Sequence, residues 1–272
     1  MQPKKSQKKM TLKEAIEILK SAGIDSAEYD ARELFKLYCP APIMLNSECD
    51  KEELLSAVER RAKREPLQYV IGEVGFYRES YLVSPDCLIP RPDTEILVDY
   101  AVKNLPESAM FLDLCTGSGC VAISTLKNTK NTTAVAVDIS GGALAIATEN
   151  AIRNGVHDRI HFRLADLTKE VIDLPVFAVL SNPPYVADGV YESLEGEIFH
   201  EPKEAFVGGI DGGDFYRHFT PIYKNMIAED GFIAYEIGYD QAELLQKIAK
   251  ENHMSCEILK DLSGNNRVAV LK

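Results

Sequence analysis

The tetrapeptide Asn182-Pro-Pro-Tyr185 follows an apolar run at 176–180 and stops it with two prolines. Two fixed φ angles and two missing N–H donors make a rigid turn. Rigidity gives no reason for the asparagine in front of it. These residue types suit a planar NH2 group, whose delocalised lone pair is a poor nucleophile and has to be aimed. The Asn182 side-chain oxygen and the Pro183 carbonyl can each accept one N–H bond. Such a grip turns the lone pair towards an electrophile, and it tightens as positive charge gathers on nitrogen in the transition state. Tyr185 offers a flat face for the planar group. A methyl carried in line on a sulfonium then needs no metal, and the nitrogen sheds its proton after the bond has formed.

A second group of residues suits the methyl donor. Gly117-Ser118-Gly119 follows an apolar stretch at 110–114 and precedes a helical pattern. Glycines there allow a tight turn and close approach of backbone to a ligand, with a helix N-terminus aimed at it. With Ala122 the segment fits G-x-G-x-x-A, a weak signal alone, since any tight strand-to-helix turn can use glycines. Acids at strand ends strengthen it. Asp113 stands four residues before Gly117, Asp138 ends the next strand where it can accept both hydroxyls of a ribose, and Asp166 can accept from an adenine amino group. Acids also cap strands and helices without binding anything. Together with the glycines they point to an adenosine ligand, which NAD and S-adenosylmethionine both contain, and the Asn-Pro-Pro-Tyr turn favours the latter.

These residues have to be positioned by alternating strands and helices. Apolar patterning predicts strands at 110–114, 133–137, 160–164, 176–180, 232–237, 256–260 and 267–271, with helices at 118–126, 140–154, from 214, and at 240–251. The fold class expected is α/β, a seven-stranded, mostly parallel Rossmann-like sheet covered on both faces. The two closing strands are joined by a link too short for a crossover, so one strand runs antiparallel. Upstream, Thr11-x-x-Glu14 reads as a capping box opening a first helix. Ser26 opens a second, and Asp50-x-x-Glu53 starts a third that ends in Arg60, Arg61, Lys63 and Arg64 before Pro66. Alternation in Val70–Tyr77 and again at 81–84 suggests a hairpin. The expected organisation is a basic disordered tail over 1–10, a helical substrate-recognition domain over 11–72, a hairpin linker over 73–90 and a catalytic domain over 91–272. The irregular stretch 186–213 reads as a binding loop, with Gly208, Gly209, Gly212 and Gly213 as hinges.

Composition narrows the function classes. The chain has 272 residues and a formal charge of −12, which argues against gripping long duplex nucleic acid. Six cysteines show no C-x-x-C pair, and they read as reduced thiols. His157 and His161 lack the carboxylate of an H-E-x-x-H motif and read as ordinary surface histidines, so no metal site is expected. No apolar run reaches membrane-spanning length, and no signal peptide is visible. A cytoplasmic, monomeric protein without membrane or direct nucleic-acid partners is expected.

Asp113-Leu-Cys-Thr-Gly-Ser-Gly119, Asp138 and Asn182-Pro-Pro-Tyr185 resemble class I S-adenosylmethionine-dependent methyltransferases acting on planar nitrogens. Glu65-Pro-Leu-Gln-Tyr-Val-Ile-Gly72, Ile89-Pro-Arg-Pro-Asp-Thr-Glu95, Glu201-Pro202 with Gly209-Ile-Asp-Gly212, and Glu236-Ile-Gly-Tyr-Asp-Gln241 narrow the resemblance to the peptide chain release factor N5-glutamine methyltransferase family, over about residues 12–272. The resemblance implies transfer of a methyl from S-adenosylmethionine, leaving S-adenosylhomocysteine, to the side-chain amide nitrogen of the glutamine in the Gly-Gly-Gln motif of class I release factors. It implies cofactor contacts at Cys115, Thr116, Gly117, Ser118, Gly119, Asp138, Asp166, Leu167 and Asn182. Substrate contacts fall on Asn182, Pro183, Pro184 and Tyr185, of which Asn182, Pro183 and Tyr185 are catalytic. The chain departs from the family at Leu167, where an aromatic is frequent, at Tyr77, where tryptophan is common, and at Gly213, where leucine usually follows Asp-Gly.

Rival readings share parts of this pattern. A ribosomal protein glutamine methyltransferase has the same chemistry, and the Pro92-Asp93-Thr94 variant of the linker favours the release factor family. An adenine-N6 nucleic-acid methyltransferase shares Asn-Pro-Pro-Tyr but needs a Lys- and Arg-rich recognition region to flip out its base. An NAD dehydrogenase lacks an evident proton donor beside the glycines. A non-catalytic nucleotide-binding protein leaves Asn182 unexplained.

Overall fold

The computed structural model describes residues 9–39, 43–49, 52–194 and 196–272. Its chain divides into two compact units, residues 1–73 with 195–200 and residues 74–194 with 201–272.

The first unit contains β1 (Met10–Thr11), α1 (Leu12–Ser21), α2 (Ala27–Tyr38), β2 (Glu48–Cys49), α3 (Glu52–Ala62) and α4 (Leu67–Ile71). The capping box is present: the Glu14 N–H donates to Thr11 Oγ1 at 3.2 Å and the Thr11 N–H to Glu14 Oε2 at 2.8 Å. Leu12, Leu19, Leu34, Phe35, Leu54 and Val58 form its core, drawn from the apolar faces of three helices. Asp50, the expected start of the third helix, lies outside the described residues, as do residues 1–8 of the expected tail. Met10 belongs to β1 and pairs with Cys49.

Two details of this unit differ from the sequence expectation. Cys39 and Cys49 form a disulfide, so two of the six thiols are not reduced in the structure. The end of α2 and the β1–β2 pairing bring their Cα atoms to 6.0 Å, a separation that no Cys spacing motif signals. Val70 and Ile71 lie in α4, which ends at Gly72 with φ 90°, so the first hairpin strand starts only at Glu73. Arg61, among the basic residues closing α3, is buried. Its Nε donates to Asp30 Oδ2 and its Nη2 to Glu197 Oε1, both at 2.7 Å, pairing that offsets the desolvation of the charge.

In the second unit a hairpin, β3 (Glu73–Phe76) with β4 (Glu79–Leu82), precedes α5 (Glu95–Asn104), β5 (Met110–Leu114), α6 (Cys120–Lys127), β6 (Thr133–Asp138), α7 (Gly141–Arg153) and β7 (Ile160–Leu164). Then follow β8 (Val176–Ser181), α8 (Asp188–Tyr191), α9 (Asp214–Tyr223), β9 (Ile227–Glu236), α10 (Ala242–Glu251), β10 (Cys256–Lys260) and β11 (Asn266–Leu271). Seven strands form one sheet in the order β10-β11-β9-β8-β5-β6-β7. The pairs from β7 to β9 are parallel, and β11 runs antiparallel to both its neighbours. Alternation along the strands sorts the core. Phe111, Ala178 and Phe232 face α5 and α6, while Leu112, Val179 and Ile233 face α9 and α10. Strand order reverses at β5, which opens a crevice over the carboxyl ends of β5, β6 and β8.

The stretch 186–213 is more structured than expected. It carries α8, single-turn helices at Ile198–His200 and Lys203–Ala205, and a bridge from Val186 to Val207. Its glycines serve close packing. Gly212 has φ 72°, and a methyl there would overlap the Tyr185 carbonyl. At Gly213 a side chain would meet Arg217 and Leu244 at 2.7 Å.

Candidate active site

The crevice is a cavity of about 770 Å3, a size suited to a cofactor. Cys115, Thr116, Gly117, Ser118, Asp138, Asp166, Leu167, Asn182 and Pro184 border it. Gly119, Pro183 and Tyr185 stand behind the rim.

The loop after β5 turns through Cys115, Gly117 and Gly119 at φ 59°, 55° and 80°. Gly119 begins α6, and a Cβ there would lie 2.9 Å from Ile123 and 3.1 Å from Ala147. Only glycine lets α6 and α7 close on the loop in this way. Asp113 is not a wall of the cavity, contrary to its expected place among the crevice acids. It is buried beneath the loop, where its Oδ2 accepts from Thr116 Oγ1 at 2.5 Å and from the Ala122 N–H at 3.2 Å. Desolvation pushes its carboxyl up to about 7, and Oδ1 has no partner.

Asp138 does border the cavity. Its Oδ2 accepts from the Gly117 N–H at 2.8 Å and its Oδ1 from the Ser140 N–H at 2.9 Å. These bonds lock the loop and the start of α7 to one carboxylate, leaving lone pairs for a ligand's hydroxyls. Asp166 is held by Thr168 and by Lys169 Nζ at 2.7 Å, and the bond to Lys169 is the main reason its carboxyl falls to about 2. Leu167 is buried against the same cavity. Ser118 Oγ, on the cavity wall, is a buried hydroxyl without a partner. An anionic strand end, spare backbone approach, an apolar wall and an unpaired hydroxyl fit the adenosine and polar tail of S-adenosylmethionine. Burial pushes the Cys115 and Cys120 thiols well up, and Cys87 up to about 11. None of these cavity thiols is a thiolate nucleophile at neutral pH.

After β8, Asn182 turns its Nδ2 to the buried Thr94 Oγ1 at 3.3 Å. No donor among the described residues reaches its Oδ1. Tyr185 donates its hydroxyl to Glu236 Oε1 at 3.1 Å. Gln241 Nε2 donates to the Tyr185 carbonyl at 3.0 Å and to that of Asp211 at 3.4 Å. Its Oε1 accepts from the Gly238 N–H at 2.9 Å, so one side chain joins three loops. Burial is the largest influence on Glu236 and pushes its carboxyl up to about 7. At the opposite wall Arg91 pairs with Glu201, whose Oε2 accepts from the Ile89 N–H at 2.9 Å. Thr94, Glu236, Gln241, Arg91 and Glu201 were assigned no role from the sequence. Their only signal there is membership of three of the four segments that carry the family resemblance.

No group of three or more His, Cys, Asp or Glu residues placed to hold a metal occurs among the described residues, and none of their helices is long and apolar enough to cross a membrane.

The family model for the methyltransferase small domain matches residues 92–210. A ribosomal protein L11 methylase from Lactobacillus delbrueckii subsp. bulgaricus shares the fold, with a TM-score of 0.51 at 19% identity over 70% of this chain and 83% of that one. These two matches describe the fold alone. Among curated relatives, the release factor glutamine methyltransferase of Geobacter sulfurreducens is 38% identical over 78% of this chain and 74% of its own. That of Caulobacter vibrioides is 34% identical over 93% and 91%. The chain belongs to the release factor glutamine methyltransferase family.

Proposed function

We propose that this chain transfers a methyl group from S-adenosylmethionine to the side-chain amide nitrogen of the glutamine in the Gly-Gly-Gln motif of a class I peptide chain release factor, in the cytoplasm. The observation that carries this reading is the Asn182 carboxamide, whose Nδ2 is taken by Thr94 while the residue borders the cavity of the glycine loop. When bound, S-adenosylmethionine supplies an electrophilic methyl on a positively charged sulfur.

The residues of the chain bind and aim. Asp138 receives ribose hydroxyls, Asp166 and Leu167 meet the adenine, and the segment 115–119 lets the backbone approach the remainder of the cofactor. Asn182 Oδ1 and the Pro183 carbonyl accept the two N–H bonds of the glutamine amide. Pro184 and Tyr185 support the planar group. Orientation of this kind supplies about 7 kcal/mol or more of the rate enhancement, and the accepting oxygens bind most strongly as nitrogen becomes cationic. The helical unit recognises the body of the release factor, and the stretch 186–213 lies over the substrate.

Incubation with S-adenosylmethionine and a release factor, followed by mass spectrometry of the Gly-Gly-Gln peptide, is expected to show one added methyl on the glutamine. An unmodified peptide rejects the reading. Asn182→Ala is expected to lower turnover by about a hundredfold or more while S-adenosylhomocysteine still binds in calorimetry.

A further inference from the structure

We propose that Gln241 is a positioning residue for methyl transfer: its side-chain NH2 group holds the Tyr185 carbonyl, and so fixes where the Asn-Pro-Pro-Tyr turn presents its acceptors. The inference rests on the reading that Asn182 and Pro183 grip a glutamine amide.

Pro183 and Pro184 have no N–H groups, so the main chain there can be anchored only through carbonyls. The next carbonyl, that of Tyr185, accepts from Gln241 Nε2 at 3.0 Å. The same NH2 group also donates to the Asp211 carbonyl at 3.4 Å. At the other end of the carboxamide, Oε1 accepts from the Gly238 N–H at 2.9 Å and from the Tyr216 hydroxyl at 3.3 Å. Three of these four partners are main-chain groups of fixed polarity, two carbonyls that accept and an N–H that donates. They leave the carboxamide a single orientation. Gln241 is buried and stands at the start of α10, where its own carbonyl accepts from the Leu245 N–H at 3.1 Å. Its main chain is fixed to a helix and its side chain to the turn.

The segment joined through Asp211 lies directly against that turn. The Val186 N–H donates to the Phe206 carbonyl at 2.7 Å, and the Gly208 N–H to the Val186 carbonyl at 2.9 Å. A methyl on Gly208 would overlap the Pro184 carbonyl, and one on Gly212 would overlap both the Tyr185 carbonyl and Gln241 Nε2. No side chain fits between the two segments, so a movement of one passes to the other. They reach the cavity at Pro184 and Val207. Gln241 stands behind them and acts through them. Without its NH2 group the Tyr185 carbonyl is released, and Asn182 and Pro183 move off the substrate amide.

Two substitutions remove the donor in different ways. Gln241→Met keeps the length of the side chain without its amide. Gln241→Glu keeps an acceptor for Gly238 and Tyr216 and sets an oxygen against the Tyr185 carbonyl. Each is expected to lower kcat for release factor methylation by about tenfold to a hundredfold, as a misplaced grip does, with the Kd for S-adenosylhomocysteine unchanged in calorimetry. Wild-type kcat in either variant, or an equal loss of kcat and cofactor affinity in both, overturns the proposal.

A role in general stability would add its cost to that of any other substitution. Gln241 acts through the grip, so in an Asn182→Ala background Gln241→Met is expected to lower the remaining rate by less than about threefold. A full repeat of the single-variant loss overturns the proposal.

Amide exchange separates this inference from the substrate assignment. The Val186 and Gly208 amides are expected to exchange with water about tenfold faster in Gln241→Met, with the amides of β5 unchanged. Unchanged exchange at Val186 and Gly208 overturns the proposal. If the wild-type protein methylates no glutamine, the substrate assignment falls, and amide exchange still decides whether Gln241 holds the turn.

Discussion

After β5 the chain turns through three residues at positive φ and is held from beneath by Asp113, whose partners lie three and nine residues away. After β8 it turns through two prolines and is held by Thr94, Glu236 and Gln241, at separations of 88, 51 and 56 residues. The two turns stand on adjacent parallel strands. The cofactor side of the site is therefore built largely from near neighbours, by backbone conformation and Asp113, with Asp138 reaching the Gly117 N–H from 21 residues away. The amide-gripping side is a tertiary structure, built by side chains that only the finished sheet brings together. Damage to the first should weaken cofactor binding. Damage to the second should spare cofactor and lose transfer.

The largest effect that tests this contrast is expected from Gly212→Ala. Its methyl overlaps the Tyr185 carbonyl at a residue with φ 72°, so the turn after β8 has to shift. Methylation is expected to fall by more than about a hundredfold, since misplacement by an ångström is that damaging, while calorimetry finds unchanged affinity for S-adenosylhomocysteine. Loss of both together would show that the two turns are not separable.

The pH dependence of stability comes next. In the folded protein Glu236 and Asp113 are raised to about 7, from 4.5 and 3.8. The folded state therefore holds these protons more tightly than the unfolded state. Stability is fully present below the unfolded values, falls as pH rises between about 4 and 7, and stays lower above. Shifts of this size correspond to roughly 3 kcal/mol for Glu236 and roughly 4 kcal/mol for Asp113. Urea denaturation of the wild-type protein is expected to give a falling midpoint from pH 4.5 to 8. Glu236→Gln should flatten that fall in part, and an unchanged slope would remove Glu236 as its source.

Asp113→Ala strips the acceptor from the Thr116 hydroxyl and the Ala122 N–H, at about 1–3 kcal/mol for a buried donor left unpaired. A lower Tm and about tenfold weaker binding of S-adenosylhomocysteine are expected. Activity at saturating cofactor should fall less than in Gly212→Ala. Lys169→Ala should have the smallest effect. Its partner Asp166 is held to about 2 by an exposed pair, and exposed pairs contribute little. No measurable change in Tm is expected.

Legibility of the sequence followed the range of the interactions. Strand periodicity placed β5, β6, β7 and β8 within a residue or two, and the short link before β11 required one antiparallel strand. Thr11 with Glu14 announced α1, because a capping box is complete within four residues. At 70–72 alternation misled, since a short helix closed by a left-handed Gly72 offers the same apolar positions as a strand. Cys39 and Cys49 carried no pairing signal, because their meeting depends on where α2 ends and how β1 pairs with β2. Asp113 was read as a wall of the crevice and is instead its foundation. Its side chain lies on the buried side of the loop, a choice that strand position alone leaves open.

By itself the sequence determined the alternating sheet, the glycine turn, the acid at the end of β6 and the asparagine ahead of two prolines, because each depends on φ, ψ and patterning among near neighbours. The tertiary structure decided which way those groups point. Thr94 comes from one segment and Glu236 and Gln241 from another far along the chain, and the bonds of the latter two to Tyr185 exist only after the sheet has set β8 and β9 side by side. Local conformation is encoded in adjacent residues, whereas the direction of a buried hydrogen-bond chain depends on donors and acceptors that folding alone makes neighbours.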